Sequence, residues 1–190
     1  MAMPVLPQDF ASPPWTVDEV LALNEASATT RFECVDGELL VTPAPSIGHQ
    51  FVAGRLYRVL AGYLDAQRIG YPLFAPLDVR LTDDSLMQPD LLVVPLRDGM
   101  GPRTAHRIDR LLLAVEILSP RSRRGDRVLK RNLHQRVGTP EYWVVDPILR
   151  VVERWRPGDS RPEIINGVFE WHLEGATEPL RLDVAALLAD

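Results

Sequence analysis

The sequence predicts a mixed α/β protein with a central β-sheet flanked by helices. Unbroken apolar runs at 91–95 (LLVVP) and 111–118 (LLLAVEIL) are typical of strands buried on both faces. A third apolar run at 142–145 follows a helical stretch at 125–137, which ends at a glycine. Helices that alternate with buried strands favour the α/β class.

An extended arm, a helix and a hairpin are predicted at the N-terminal end. Residues 1–14 contain four prolines and no hydrophobic periodicity, so they predict the arm. Thr16 and Glu19 have the spacing of a capping box, which predicts a helix that begins after Thr16. Residues 31–42 predict a β-hairpin with its turn at Asp36-Gly37.

The longest helix is predicted at 47–68, where apolar residues recur at helical spacing. These residues are Ile47, Phe51, Leu56, Val59, Leu60, Tyr63 and Leu64. A strand is predicted at 73–81, and a loop at 97–109 separates the two long apolar runs.

A hairpin and a short helix are predicted at the C-terminal end. The hairpin pairs 151–155 with 163–173 around a turn at 157–159, where Pro, Gly and Asp follow one another. Residues 182–188 predict a closing helix with Asp183 as its cap.

Length and composition exclude several classes of protein. A chain of 190 residues without internal repeats or linkers predicts a single domain over 1–190. The single cysteine, Cys34, excludes an internal disulfide and a cysteine-rich zinc site. The N-terminus has no signal-peptide pattern, and no apolar run approaches the ~20 residues of a membrane span. We therefore expect a cytoplasmic protein with no membrane or disulfide partner.

The charge of the chain is unevenly distributed. The net charge is −5, yet residues 121–136 contain seven Arg and Lys residues and a single acid. A basic strip on an acidic protein predicts a localised anion-binding face, although a merely solvated face has the same pattern. The candidate phosphate contacts in this strip are Arg121, Arg123, Arg124 and Arg127.

Glu116 is the carboxylate with the strongest functional signal, because apolar residues flank it on both sides. A buried carboxylate is costly unless a cation neutralises it. Asp90 follows a proline at the start of the preceding strand. Two carboxylates on adjacent strands suit Mg²⁺. The alternatives are a salt bridge from Glu116 to an arginine and a turn-capping role for Asp90.

Lys130 is the only lysine in the chain. Arginine does not deprotonate in proteins, so a role that needs a titratable or compact ammonium falls to Lys130. Beside two metal-binding carboxylates and a basic strip, such a lysine predicts metal-assisted hydrolysis of a phosphodiester. The alternative is an ordinary surface lysine.

A third acid and a histidine are further candidates. Glu33 lies on the first predicted hairpin strand and Glu38 follows the turn glycine; we expect Glu38 to be the third acid. His49, near the start of the long helix, is a candidate phosphate contact, with a structural role as its alternative.

Several motifs together resemble one known family, and they extend over roughly residues 16–155. They are Pro89-Asp90, Glu116-Ile-Leu-Ser119-Pro120, Asp126-x-x-x-Lys130, Gly138-x-Pro140-Glu141-Tyr142-Trp143-x-x-Asp146-Pro147, Arg31-Phe-Glu33-x-x-Asp36-Gly37-Glu38-Leu39 and Ser46-x-x-His49. The chain resembles the Uma2 family (DUF820), restriction-endonuclease-like proteins of the PD-(D/E)xK nuclease superfamily.

The resemblance implies a restriction-endonuclease-like core with a metal site formed by Asp90, Glu116 and a preceding acid. The sequence departs from the superfamily signature in one respect. The lysine is ordinarily two residues after the acid, but that position is Leu118 here. The resemblance implies that Lys130, from the following helix, takes its place.

The resulting expectation is an endonuclease that uses Mg²⁺ or Mn²⁺ to cut DNA, with a homodimer expected if it cuts both strands of a duplex. Two alternatives stay open. One is a catalytically degenerate nucleic-acid or protein-binding module with the same fold. The other is a metal-dependent hydrolase of a small phosphoester, which the acidic surface favours.

Overall fold

The computed structural model describes residues 14–97, 99–101, 108–120 and 122–189. In chain order the elements are α1 (Val17–Ala26), β1 (Thr30–Val35), β2 (Glu38–Pro43), α2 (Ile47–Gln67), β3 (Gly70–Phe74), β4 (Val79–Thr82), β5 (Ser85–Met87), β6 (Leu91–Pro95), β7 (Leu113–Ile117), a π-helical turn (Gly125–Lys130), α3 (Arg131–Arg136), β8 (Tyr142–Asp146), β9 (Val151–Trp155), β10 (Glu163–Ile165), β11 (Val168–Trp171), β12 (Leu180–Asp183) and α4 (Val184–Leu187).

Three sheets organise the described residues. A six-stranded sheet has the order β10-β9-β8-β7-β6-β3, a four-stranded sheet has the order β2-β1-β5-β4, and β11 pairs with β12. In the six-stranded sheet β7 and β8 are parallel, and the other neighbours are antiparallel. The π-helical turn and α3 form the crossover between β7 and β8, as parallel neighbours require.

Helix α2 packs on the six-stranded sheet through a row of residues four apart, Leu56, Leu60 and Leu64, all fully buried. The wider apolar face predicted for this helix is wrong at Phe51, which is 64 % exposed. Successive residues are separated by about 100° around a helix, so Phe51 lies off the buried row that begins at Val52. The exposed residues of the predicted face are Ile47, Phe51 and Val59.

The strand predicted at 73–81 is divided between two sheets. Strand β3 ends at Phe74, and Pro76 follows, which has no N–H to donate to a ladder. The chain resumes as β4 in the four-stranded sheet.

The C-terminal region differs from the prediction in its pairing. Strands β9 and β10 form the predicted hairpin, but β10 ends at Ile165. The following strand β11 pairs instead with β12, which lies partly where a helix was predicted. Asp183 caps the shorter helix α4, as predicted, by accepting hydrogen bonds from two of its backbone N–H groups.

The predicted N-terminal elements are confirmed within the described residues. Thr16 and Glu19 form the capping box of α1, and β1 and β2 form the hairpin around Asp36-Gly37. The predicted arm at 1–14 lies almost entirely outside the described residues. None of the helices in the described ranges has the length and apolar character that a bilayer crossing requires.

Candidate active site

A single ammonium group joins three carboxylates at the centre of the molecule. Lys130 Nζ lies 2.8 Å from Glu33 Oε1, 2.9 Å from Glu116 Oε1 and 3.3 Å from Asp126 Oδ1. All four side chains are buried, with 3 % or less of each residue exposed. Lys130 is therefore a buried ion-pair partner and not a surface lysine.

Three separate elements bring these groups together. Glu33 lies on β1 of the four-stranded sheet, and Glu116 lies on β7 of the six-stranded sheet. Asp126 and Lys130 both belong to the π-helical turn, a conformation that occurs frequently at functional sites. The two sheets and the crossover thus meet at the lysine.

Asp90 lies beside this group, in the residue that precedes β6. Its Oδ2 accepts a hydrogen bond of 2.8 Å from the Ile117 backbone N–H and lies 2.9 Å from His49 Nε2. Its Oδ1 accepts a hydrogen bond of 3.3 Å from Arg31. The bond to Ile117 holds the Asp90 carboxylate next to the strand residue that follows Glu116. We call Glu33, Asp90, Glu116 and Asp126 the carboxylate cluster.

Burial and neighbouring charges both shift the pKa values of the central pair, Lys130 and Glu116. Burial alone would lower the pKa of Lys130, but the charges of Glu116, Glu33 and Asp126 hold it well above its ordinary value. Burial raises the pKa of Glu116 well above its usual range, and the neighbouring carboxylates add to this rise while Lys130 opposes it. Lys130 is therefore a permanent cation at neutral pH.

Burial acts in the same direction on Asp90 and Asp126, but the neighbours of the two groups offset it to different extents. Burial would raise the pKa of Asp90, but His49 and Arg31 lower it below its ordinary value. Burial raises the pKa of Asp126, and Lys130 only partly offsets this effect. The carboxylate cluster therefore contains one acid, Asp90, that its neighbours keep ionised, and two, Glu116 and Asp126, whose negative charge is incompletely compensated.

The carboxylate cluster opens to a cavity of about 570 Å³, within the range of small-molecule sites. Three of its acids line the cavity together with Lys130 and His49: Asp90, Glu116 and Asp126. Asp90 and Glu116, from adjacent antiparallel strands β6 and β7, thus face the same solvent-connected space.

The donor set suits a hard divalent cation of the Mg²⁺ type. Among the described residues, four carboxyl groups contact two permanent cations, Lys130 and Arg31, and the raised pKa values of Glu116 and Asp126 indicate that their negative charge is incompletely compensated. Among the residues that the structure describes, no three His, Cys, Asp or Glu side chains converge as a metal-binding group. Mg²⁺ is commonly held by one or two carboxylates and water, so Asp90 and Glu116 fit that requirement.

The structure places Glu33, and not Glu38, in the carboxylate cluster, which corrects the expectation that Glu38 is the third acid. Glu38 is the first residue of β2, and its side chain is 44 % exposed in an ion pair of 2.6 Å with Arg124. Glu33 alternates with the core residues Phe32 and Cys34, so its side chain points to the opposite face of β1. Its Oε1 also accepts a hydrogen bond of 2.7 Å from the Gln88 backbone N–H.

Three of the four predicted phosphate contacts in the basic strip, Arg123, Arg124 and Arg127, are engaged in ion pairs within the chain. Arg124 pairs with Glu38, and Arg127 donates to Glu153 at 2.7 Å and to Asp146 at 2.9 Å. Arg123 lies 3.8 Å from Asp146. Arg121 lies outside the described residues. Arg123, Arg124 and Arg127 therefore each lie in an ion pair within the chain.

Two residues of the site were not singled out from the sequence as site candidates. Arg31 shares one face of β1 with Glu33, since the two are two residues apart. Asp126 precedes Lys130 by four residues, a helical spacing that brings side chains together. Both spacings can be seen in the sequence. Neither of them shows that this face of β1 or this side of the π-helical turn is buried. His49, a predicted site residue, lies in the site as the partner of Asp90.

Comparisons with known proteins bear on the whole chain. A family model named Uma2 and described as "Putative restriction endonuclease" matches residues 17–185. A search of curated proteins found no match. A solved structure from Anabaena variabilis, described as a putative nuclease belonging to DUF820, is similar with a TM-score of 0.70 and 24 % sequence identity, over 93 % of this chain and 98 % of that one. This likeness confirms the α/β fold class that the sequence predicts.

Proposed function

The chain belongs to the Uma2 family, and we propose that it is an endonuclease that hydrolyses DNA phosphodiester bonds with the help of Mg²⁺ or Mn²⁺. The observation that carries the proposal is the carboxylate cluster around Lys130, which lines an open cavity. A buried group of excess negative charge beside a fixed ammonium is the combination that metal-assisted phosphoryl chemistry uses.

Asp90 and Glu116 would hold the cation. Both face the cavity, and Asp90 is already oriented by the Ile117 backbone N–H. The bound ion would supply Lewis-acid polarisation of the scissile phosphate. Glu33 and Asp126 would add negative charge to the site and hold Lys130 in position through their ion pairs.

Lys130 would act as a hydrogen-bond donor and fixed positive charge. Its raised pKa keeps it protonated at neutral pH, so it cannot accept a proton from an attacking water. An ammonium at the cavity wall can instead orient the water through its oxygen and stabilise charge that develops on the phosphate oxygens. In the ordinary signature the lysine follows the acid by two residues; here the π-helical turn would supply it instead, as Lys130, 14 residues after Glu116.

His49 and Arg31 would hold Asp90 ionised and oriented. Each contacts one of its two carboxylate oxygens, which leaves the carboxylate charged across the neutral pH range. His49 also lines the cavity, where its imidazole can contact a substrate phosphate.

Incubation with supercoiled plasmid and Mg²⁺ or Mn²⁺ tests the proposal. We expect nicking by the wild type, and loss of nicking in Glu116→Gln, which keeps the side-chain shape and removes the charge. Asp83→Asn, at a fully exposed carboxylate, is the matched control and should cleave like the wild type. A wild type that leaves plasmid, linear DNA and RNA intact with either metal would contradict the proposal.

A hydrolase of small phosphoesters is the second candidate, because Arg124 and Arg127 are already paired with acids of the chain, which makes them less available to a long nucleic-acid backbone. Hydrolysis of bis-(p-nitrophenyl) phosphate without any cleavage of polynucleotides would favour it.

A further inference from the structure

A second cavity adjoins the proposed active site. Its volume is about 930 Å³, large enough for a nucleotide-sized ligand. Arg31, His49 and Asp90 line both cavities, so the second one begins where the proposed metal site ends. A group bound in the second cavity would therefore lie next to a phosphate bound at Asp90.

Two aromatic side chains belong to the lining of this second cavity. Tyr57 and Phe74 meet edge to face, with ring centroids 5.1 Å apart and an interplanar angle of 82°. Phe74 is 59 % exposed and belongs to no core cluster among the described residues. Its ring is therefore available to a ligand, and aromatic rings exposed beside phosphate sites are stacking platforms for nucleobases.

Three residues that line the same cavity carry buried polar atoms without a hydrogen-bond partner among the described residues. They are Gln88 Oε1, Arg31 Nε and His49 Nδ1. Gln88 is only 5 % exposed, and its amide nitrogen is held by Asp78 at 2.8 Å, which fixes the side chain. A buried acceptor and a buried donor that lack partners are unfavourable unless a ligand or water satisfies them. A nucleobase edge carries both complementary groups.

The charge distribution also favours a ligand that is recognised through its base. Arg124 is paired with Glu38, Arg127 is paired with Asp146 and Glu153, and the chain carries a net charge of −5. Affinity that depends on many phosphate contacts needs free cations along the strand. Stacking of one unpaired base requires no such row of cations.

We propose that this second cavity binds an unstacked nucleobase of the nucleotide adjacent to the scissile phosphate, so that the preferred substrate is DNA with an unpaired nucleotide. A base inside an intact duplex cannot enter a cavity without leaving the helix, which costs unstacking and unpairing energy. This inference rests on the proposed nuclease function for its geometry, but base binding can be measured without cleavage.

The test measures binding in a Glu116→Gln background, in which cleavage is not expected to deplete the probe. Fluorescence anisotropy compares three fluorescein-labelled DNAs of one sequence: a single strand, a fully paired duplex and a duplex with one bulged nucleotide. We expect the single strand and the bulged duplex to bind at least about tenfold more tightly than the paired duplex. Phe74→Ala should abolish this preference, and the control Tyr71→Ala should retain it, since Tyr71 is an exposed aromatic on the same strand outside the cavity.

Equal affinity for the three DNAs, no detectable binding, or a preference that survives Phe74→Ala would overturn the inference. The proposed function is tested separately, by measuring whether the wild-type protein, which retains Glu116, cleaves the same DNAs. Cleavage of the paired duplex without any dependence on Phe74 would support the nuclease and contradict the base site. A Phe74-dependent preference without cleavage would support the base site and contradict the nuclease.

Discussion

Lys130 Nζ lies 2.9 Å from Glu116 Oε1, so the only lysine of the chain is the ion-pair partner of the only carboxylate on β7. The pair is fully buried, and the same ammonium reaches Glu33 on the other sheet. One side chain therefore offsets part of the negative charge of the site and also links the two sheets. Its removal should affect both stability and activity, and the two effects can be separated.

Lys130→Ala should lower the free energy of unfolding by about 3–5 kcal/mol, because three buried carboxylates lose their shared cation. Urea unfolding followed by circular dichroism measures the loss. Arg58→Ala, at an exposed cation on α2, should change stability by less than about 0.5 kcal/mol. A Lys130→Ala protein as stable as the wild type would show that the ion pairs are not formed in solution.

Added Mg²⁺ should raise the melting temperature of the wild type, because a ligand that binds only the folded state stabilises it. Asp90→Asn should abolish most of this rise, since it removes one of the two charges proposed to hold the ion. Differential scanning calorimetry with and without Mg²⁺ measures both effects. A control at the exposed Asp83, replaced by asparagine, should keep the full rise. An undiminished rise in Asp90→Asn would place the ion elsewhere.

The two hairpin glutamates should differ in their effect on cleavage. Glu33→Gln should reduce the rate of plasmid nicking at least about tenfold, because it removes a charge in contact with Lys130 and leaves the shape unchanged. Glu38→Gln should leave the rate nearly unchanged, since it weakens only an exposed pair with Arg124, and such pairs contribute about 0–1 kcal/mol. The reverse order of effects would restore Glu38 as the third acid.

The free energy of unfolding should decrease as the pH is lowered below about 6.5, because His134 is buried in its neutral form. Burial lowers the pKa of this histidine from 6.5 to about 3, and the Lys130 charge adds to the effect. The folded state therefore favours neutral His134, while the unfolded chain binds a proton below its pKa of about 6.5. The stabilisation that comes from this pKa difference of His134 is fully present above about pH 6.5, and about 2 kcal/mol of it is lost when the pH is lowered to 5.

His134→Gln isolates this effect from other titrating groups, and glutamine can still bond the Thr139 hydroxyl, which lies 3.0 Å from Nδ1 in the wild type. Urea unfolding at pH 7.0 and 5.0 should show a smaller pH-dependent loss in the variant. Equal losses in the two proteins would contradict a buried neutral His134.

Local sequence signals predicted three members of the candidate site, Glu116, Asp90 and Lys130. Glu116 interrupts an apolar strand, Asp90 opens the neighbouring strand, and Lys130 is unique in the chain. The choice between Glu33 and Glu38 could not be made locally. It depends on which face of β1 is covered by a second sheet, and that is decided by contacts with residues more than 80 positions away.

Pairing between distant segments also explains the errors in the fold. Residues 180–183 are too short to show a strand periodicity, and they form β12 only because β11 lies beside them. Arg123, Arg124 and Arg127 were candidate phosphate contacts from the sequence, and in the structure their acidic partners lie on β2, β8 and β9. Charge counts along the chain do not reveal such pairs.

The central claim is that Asp90 and Glu116 bind a divalent cation beside Lys130. Crystals soaked in Mn²⁺ and measured at the manganese absorption edge test it most directly. We predict an anomalous peak within about 2.0–2.3 Å of carboxylate oxygens from both residues, the distance expected for small divalent ions with oxygen ligands. A well-diffracting soaked crystal with no peak at these carboxylates, or with a peak only elsewhere, would contradict the account.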